Sequence, residues 1–207
     1  YLFDINGKRY TDLISGISVS NTGHRHPHIV QAIKNQLDKY LHLMVYGEYI
    51  QSPQVKLAAR LAELLPDGLN NCYFVNSGSE AVEGALKLAK KFTGRRKIIA
   101  FNNAYHGSTH GSLSIIGDSA YRDAFQPLLP EVEHIQFNDL NDLNRIDEST
   151  ACVIVEPVQG EAGIIAVNAE YLKLLRQKCS ETDTLLIFDE IQTGLGRTGY
   201  MFAFEKY

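Results

Sequence analysis

Ala151-Cys152-Val153-Ile154-Val155-Glu156-Pro157-Val158-Gln159-Gly160 decides the fold. Five consecutive apolar residues run into an acid and a glycine-bearing loop, so the strand they form has no polar face to turn to water. Strands of this kind belong to sheets covered on both faces, which are mainly parallel. Leu185-Leu186-Ile187-Phe188-Asp189-Glu190 repeats the pattern, again with acids directly after the apolar run. Working outward, strands are expected over Cys72–Val75, Lys97–Phe101, His134–Phe137, Ala151–Val155 and Thr184–Phe188. Helices are expected over Glu80–Phe92, Asp139–Ile146 and Ala169–Cys179. The first of these turns Val82, Ala85, Leu86 and Ala89 inward and stops at Gly94. The alternation predicts an open α/β sheet, mainly parallel and flanked by helices, with its ligand site at the carboxyl ends of the strands.

Upstream of this region, Tyr1–Ile5 and Lys8–Asp12 flank Asn6-Gly7, a strong signal for a short hairpin. Pro27 opens an expected helix over Pro27–Tyr40, with Ile29, Ile33, Leu37 and Leu41 at helical spacing. Ser52 is the expected cap of the next helix, Pro53 its first turn, and Val55, Leu57, Ala58, Leu61 and Leu65 its buried face.

The 207 residues are 44% hydrophobic and 21% charged, with a net charge of −4. That balance excludes a disordered or fibrous chain, and it offers nothing to a nucleic-acid backbone or an anionic membrane surface. No apolar run approaches the ~18 residues of a membrane span. Three scattered cysteines, Cys72, Cys152 and Cys179, suit a reducing compartment, read as the cytoplasm, and neither a disulfide framework nor a metal site. The chain opens on Tyr1-Leu2-Phe3-Asp4 without an initiator Met and stops in an aromatic stretch, so both ends read as cut.

Three polar motifs follow directly after strands. In Val75-Asn76-Ser77-Gly78-Ser79-Glu80-Ala81, a small-residue turn leads into a helix start whose free N–H groups and dipole favour a phosphate. The same residues also read as an ordinary N-cap. In Phe101-Asn102-Asn103-Ala104-Tyr105-His106-Gly107-Ser108, Tyr105 offers a stacking platform for a flat heterocycle and His106 a polar partner; a surface loop is the plain alternative. Asp189, after four apolar residues, lies near the floor of a cleft and needs a partner, of which a protonated ring nitrogen is one; capping a helix is the other reading. Glu156 and Glu161 stand five residues apart in a glycine-rich loop, as a carboxylate pair or as solvated charge. Together, a phosphate cradle, an aromatic platform and a buried carboxylate describe a site for a phosphorylated, cationic aromatic ring: pyridoxal 5'-phosphate (PLP).

Asn76-Ser77-Gly78-Ser79-Glu80-Ala81, Tyr105-His106-Gly107, Glu156-Pro157-Val158-Gln159-Gly160-Glu161-Ala162-Gly163 and Asp189-Glu190-Ile191-Gln192-Thr193-Gly194-Leu195-Gly196-Arg197-Thr198-Gly199 resemble the class III PLP-dependent aminotransferases, of acetylornithine, ornithine and 4-aminobutyrate type. The N-terminal Asp4-Ile5-Asn6-Gly7-Lys8-Arg9-Tyr10 and Gly23-His24-Arg25-His26-Pro27 fit that family's opening, so the resemblance runs the length of the chain. It implies the PLP-transferase fold type I, with residues 1–47 in a small α+β domain and 48–207 in most of a large PLP-binding domain. It further implies transamination between an amino acid or ω-amine and a 2-oxo acid. It also implies a homodimer with Met44–Ile50, including Tyr46 and Tyr49, near the subunit boundary. By position, Gly78 and Ser79 would bind the cofactor phosphate and Tyr105 would stack on its ring, with His106 among the cofactor-binding residues. Asp189 would hold the ring nitrogen protonated and Gln192 would contact the phenolic oxygen. Glu161 would be the substrate-side glutamate and Glu156 a supporting active-site acid.

Two departures stand out. Where the acetylornithine and ornithine enzymes carry an arginine after the aromatic-His/Trp-Gly triplet, this chain has Ser108, which cannot make the bidentate grip on a carboxylate. The family's Schiff-base lysine falls beyond Tyr207, since the surroundings of Lys206 do not match, so the chain is expected to be the first half of an enzyme of about twice its length. A class III aminomutase and a non-catalytic relative of the same fold are the alternative functions. A dinucleotide-binding domain is disfavoured, because no G-x-G-x-x-G follows the first strand of the alternating region.

Overall fold

The computed structural model describes residues 1–44 and 48–207. Tyr46 and the expected boundary after residue 47 therefore lie outside the described residues. The chain divides into two compact units, Tyr1–Tyr73 and Phe74–Tyr207.

In the first unit, β1 (Leu2–Phe3) and β2 (Arg9–Tyr10) form the antiparallel hairpin around Asn6-Gly7. The Asp4 carboxylate tightens the turn by accepting the N–H groups of Asn6 at 2.9 Å and Lys8 at 3.0 Å. Helices follow over Pro27–Leu37 and Ser52–Leu64. Ser52 proves to be the first helical residue rather than its cap; Gln51 holds that position and makes no side-chain cap bond. The apolar face expected to be buried is only partly covered: Ala58, Leu61 and Leu65 are half-buried, while Val55 and Leu57 are 53% and 50% exposed. Helical spacing reveals which face is apolar, but burial needs a second layer, and no described residue of this unit is buried.

The second unit contains β3 (Lys97–Phe101), β4 (Val132–Ile135), β5 (Thr150–Val155), β6 (Val158–Gln159), β7 (Ile165–Ala166) and β8 (Leu185–Phe188). Among the described residues, β4-β3-β5-β8 form one sheet in which every pairing is parallel, as the apolar runs require. Its two long helices run over Gly78–Thr93 and Ala169–Glu181, each longer than expected, and short ones over His110–Ser114 and Ser119–Arg122. Gly94, at φ +70°, ends the first by closing its N–H onto Lys90 O.

Three expectations are corrected. Cys72–Val75 forms no strand: it has no ladder partner among the described residues, and Tyr73 is 80% exposed. The strand placed at His134–Phe137 sits two residues earlier, because Phe137 leaves the ladder to pack edge-on against Phe101, 5.5 Å between ring centres. The helix expected over Asp139–Ile146 is a 3-10 turn over Asn141–Arg145. There the carboxylates of Asp142 and Asp139 take the N–H groups of Gln136 and Asn141, at 2.6 and 2.9 Å, and so compete with α-helical pairing. Among the described residues no helix is long and apolar enough to cross a membrane.

Alternation along β3 and β5 builds the core. Ile98, Ala100, Cys152 and Ile154 face the Gly78–Thr93 helix and meet Val82, Leu86 and Ala89. Ile99, Phe101, Val153 and Val155 point the other way, onto Tyr171, Leu172 and Leu175 of the second helix. These eight strand residues are all fully buried, so the sheet is a filled middle layer. Ile154→Ala should therefore lower stability by about 2–5 kcal/mol, measured from chemical denaturation midpoints; a cost near zero would mean that this face is not packed.

Candidate active site

Because β3, β5 and β8 run parallel, their carboxyl ends open on the same side of the sheet. The ladder carries one step past β8, with Asp189 N–H donating to Val155 O at 2.8 Å. This places Asp189 beside Glu156. The loop after β3 is held by Gln159, whose Nε2 donates to Asn102 O at 3.1 Å, and by Gly117 N–H on Ala104 O at 2.8 Å. Three sequence-distant turns thus converge around one cavity of about 240 Å³.

Every site residue expected from the sequence lines that cavity: Gly78, Ser79, Tyr105, His106, Glu156, Glu161, Asp189 and Gln192. The lining also includes Ser77, Gly107, Val158, Ile191 and Thr193, which the sequence did not single out for this role.

The start of the Gly78–Thr93 helix forms one part of the cavity wall. Ser77 is its cap, with Oγ accepting Glu80 N–H at 3.2 Å, and the Glu80 carboxylate reaches back to Asn76 N–H at 2.7 Å. The first-turn N–H groups of Gly78 and Ser79 have no intrahelical acceptors and carry the positive end of a sixteen-residue helix. The Ser79 hydroxyl accepts Ser108 N–H at 3.2 Å and keeps its own proton to donate. Gly107, at φ +115°, permits this approach, since a Cβ there would overlap Ser79 Oγ.

Carboxylates form another part of the wall. Asp189 is 8% and His106 2% exposed, with His106 Nδ1 2.7 Å from Asp189 Oδ2. Against an ionised Asp189, Nδ1 carries the proton and donates, which fixes the ring; Nε2 is buried without a partner among the described residues. Asp189 Oδ1 accepts Ile191 N–H at 3.1 Å. Glu156 accepts the N–H groups of Tyr105 at 3.2 Å and Gly160 at 3.4 Å, tying the aromatic loop to the end of β5. Gln192 Nε2 donates to Glu161 Oε1 at 3.4 Å. Tyr105, 41% exposed, lines the cavity with them.

Two glutamates outside the cavity brace loops that continue from its lining. Glu83 Oε1 accepts Thr109 Oγ1–H and Gly111 N–H, both at 2.7 Å, and Ser112 N–H at 3.2 Å. Glu190 accepts Thr193 Oγ1–H at 2.7 Å and the N–H groups of Ala203 and Phe204, both at 2.8 Å. The sequence did carry a signal for Glu83, which follows Ser79 by four residues and so shares its helix face.

Burial pushes the Glu156 carboxyl from 4.5 up to about 7, an effect opposed by His106 and the Tyr105 N–H and reinforced by Asp189. The folded protein then binds this proton more tightly than the unfolded chain does. Glu156 therefore stabilises the fold below pH 4.5, and that contribution is lost as pH rises through about 7. In the cofactor-free protein, stability across this window should fall with pH more steeply in wild type than in Glu156→Gln, followed by denaturation midpoints. Parallel curves would place Glu156 in contact with bulk water instead.

A [LysW]-aminoadipate semialdehyde/glutamate semialdehyde transaminase of Sulfolobus acidocaldarius is 48% identical over 208 residues, covering 100% of this chain and 53% of that protein. An acetylornithine aminotransferase of Methanopyrus kandleri is 47% identical, over 99% of this chain and 52% of its own length. The chain spans about half the length of these curated relatives. Among solved structures, the taurine:2-oxoglutarate aminotransferase of Bifidobacterium kashiwanohense, in complex with PLP and glutamate, superposes with a TM-score of 0.91 at 34% identity. That match covers 99% of this chain and 51% of the other. With the family model "Aminotransferase class-III" matching residues 1–207, the chain belongs to the class III aminotransferases.

Proposed function

We propose that the intact protein carrying this chain is a PLP-dependent transaminase. It would move an amino group from an amino acid or ω-amine, of acetylornithine, ornithine or 4-aminobutyrate type, to a 2-oxo acid. The observation that carries this reading is the polarity of the cavity. A helix N-terminus faces it at Ser77–Ser79, and buried carboxylate stands with an aromatic side chain elsewhere in its wall. A ligand that is anionic at one end, flat in the middle and cationic at the other answers all three features.

The residues present fit PLP. Two of the roughly four lone-pair positions of the Asp189 carboxylate are taken, by His106 and Ile191, which leaves acceptor capacity for a ring N–H. Gly78 and Ser79 would hold the phosphate through backbone N–H and hydroxyl, and Tyr105 would cover a ring face. Gln192 would meet the phenolic oxygen, and Glu161 would stand toward the substrate. When bound, PLP supplies an electron sink for the pair released from the substrate's Cα–H bond. Asp189 keeps the ring nitrogen's proton in place, and His106 keeps Asp189 oriented. Glu156 fixes Tyr105 through its backbone. We place the protein in the cytoplasm as a homodimer, supported by its three free cysteines and by its family.

Borohydride reduction of the full-length protein with PLP should leave one cofactor covalently attached, seen by intact mass and by the change in its absorbance. Absence of both band and adduct would overturn the reading. Asp189→Ala should weaken PLP retention and lower kcat by about 100-fold or more; unchanged turnover would remove Asp189 from the ring nitrogen.

A further inference from the structure

Glu83 stands outside the cavity lining, yet the loop that continues from that lining hangs on its side chain. We propose that Glu83 is a positioning residue for the cofactor phosphate, acting through the Ser79 hydroxyl. The inference rests on the transaminase reading, which supplies the cofactor, and goes beyond it by giving a residue behind the site a share in its affinity.

The short helix His110–Ser114 is capped from another element. Thr109 holds its cap position and makes no side-chain cap bond. The Thr109 hydroxyl instead donates to Glu83 Oε1 at 2.7 Å. The same oxygen accepts the N–H groups of Gly111 at 2.7 Å and Ser112 at 3.2 Å, the second and third residues of that helix. A cap residue ordinarily satisfies these donors. Here a carboxylate from the Gly78–Thr93 helix does so, and bonds to a charged acceptor are the stronger kind. Gly111 makes room for it, since a Cβ there would overlap the Glu83 carboxylate.

Ser79 and Glu83 lie four residues apart on one helix and so share a face. The loop meets that face twice in succession. Ser108 N–H donates to Ser79 Oγ at 3.2 Å, and the next residue, Thr109, is the first that Glu83 takes. A hydroxyl has one proton and two lone pairs. With a lone pair committed to Ser108 N–H, the Ser79 proton is turned away from that donor and is free for a ligand in the cavity. A serine hydroxyl without such a tie turns to nearby backbone groups. Glu83 thus fixes Ser108 N–H, and Ser108 N–H fixes the Ser79 rotor beside the free N–H groups of the helix start. Tyr105 is anchored separately, through Glu156. The effect of Glu83 therefore falls on the phosphate and not on the ring.

The test uses the full-length protein freed of cofactor, with PLP and pyridoxal as paired probes. The two share ring and aldehyde, so the ratio of their dissociation constants isolates the phosphate. A wild type that retains no PLP would end the transaminase reading and this proposal together. With PLP bound by wild type, Glu83→Ala should weaken PLP about tenfold and pyridoxal less than about twofold. Glu83→Gln, which keeps an acceptor oxygen of the same reach, should restore most of the ratio. Gly111→Ala, which keeps the charge but displaces the carboxylate, should lower the ratio as Glu83→Ala does; should Glu83→Ala fail to fold, this variant decides. In Ser79→Ala protein, adding Glu83→Ala should change either constant by less than about twofold. Equal weakening of the two probes, an unchanged ratio, or a full effect of Glu83→Ala without the Ser79 hydroxyl would overturn this proposal and leave the transaminase reading standing.

Discussion

The site depends on a parallel ladder whose strands end together. Because β5 pairs with β3 on one side and β8 on the other, the chain must leave the sheet three times at the same edge. Each exit delivers a polar residue, Asn102, Glu156 or Asp189, to neighbouring positions. The hydrogen bond from Asp189 N–H to Val155 O extends the ladder just far enough to seat two carboxyls side by side. One of them must then find a partner or keep its proton. Asp189 has His106; Glu156 holds its proton to higher pH. The ladder thus sets the electrostatics of the cavity floor before any ligand is considered.

Legibility in the sequence followed the physics of each element. Lys97–Phe101 was readable to the residue, and Thr150–Val155 and Leu185–Phe188 to within one, because strands buried on both faces leave uninterrupted apolar runs. Phe137 misled because an aromatic at a strand end counts toward the run whether it joins the ladder or packs sideways. Asp139 and Asp142 misled because short acidic side chains satisfy backbone donors locally and favour a tight turn. Cys72–Val75 shows the limit of the method: a strand is a relation between two segments, and composition describes only one.

The candidate site was more legible than the fold around it. Residues named from separate motifs, among them Ser79, Tyr105, Glu161 and Gln192, all meet at one cavity. Motif residues are constrained by the chemistry they face, and that chemistry survives translation into a string of letters. What the string hid were supports. Glu190 belongs to a recognisable acid pair, but its bonds to Ala203 and Phe204 span a turn whose path only the folded chain reveals.

The bond between Ser108 and Ser79 has a consequence for how such a protein diversifies. The loop's attachment to the helix that begins at Gly78 joins the main-chain N–H of residue 108, which every amino acid but proline possesses, to the hydroxyl of Ser79. Position 108 can therefore carry cationic, polar or small side chains while the loop's hold on that helix stays the same. Chemical variety at one loop position and the anchoring of the loop itself are thereby carried by different atoms of the same residue.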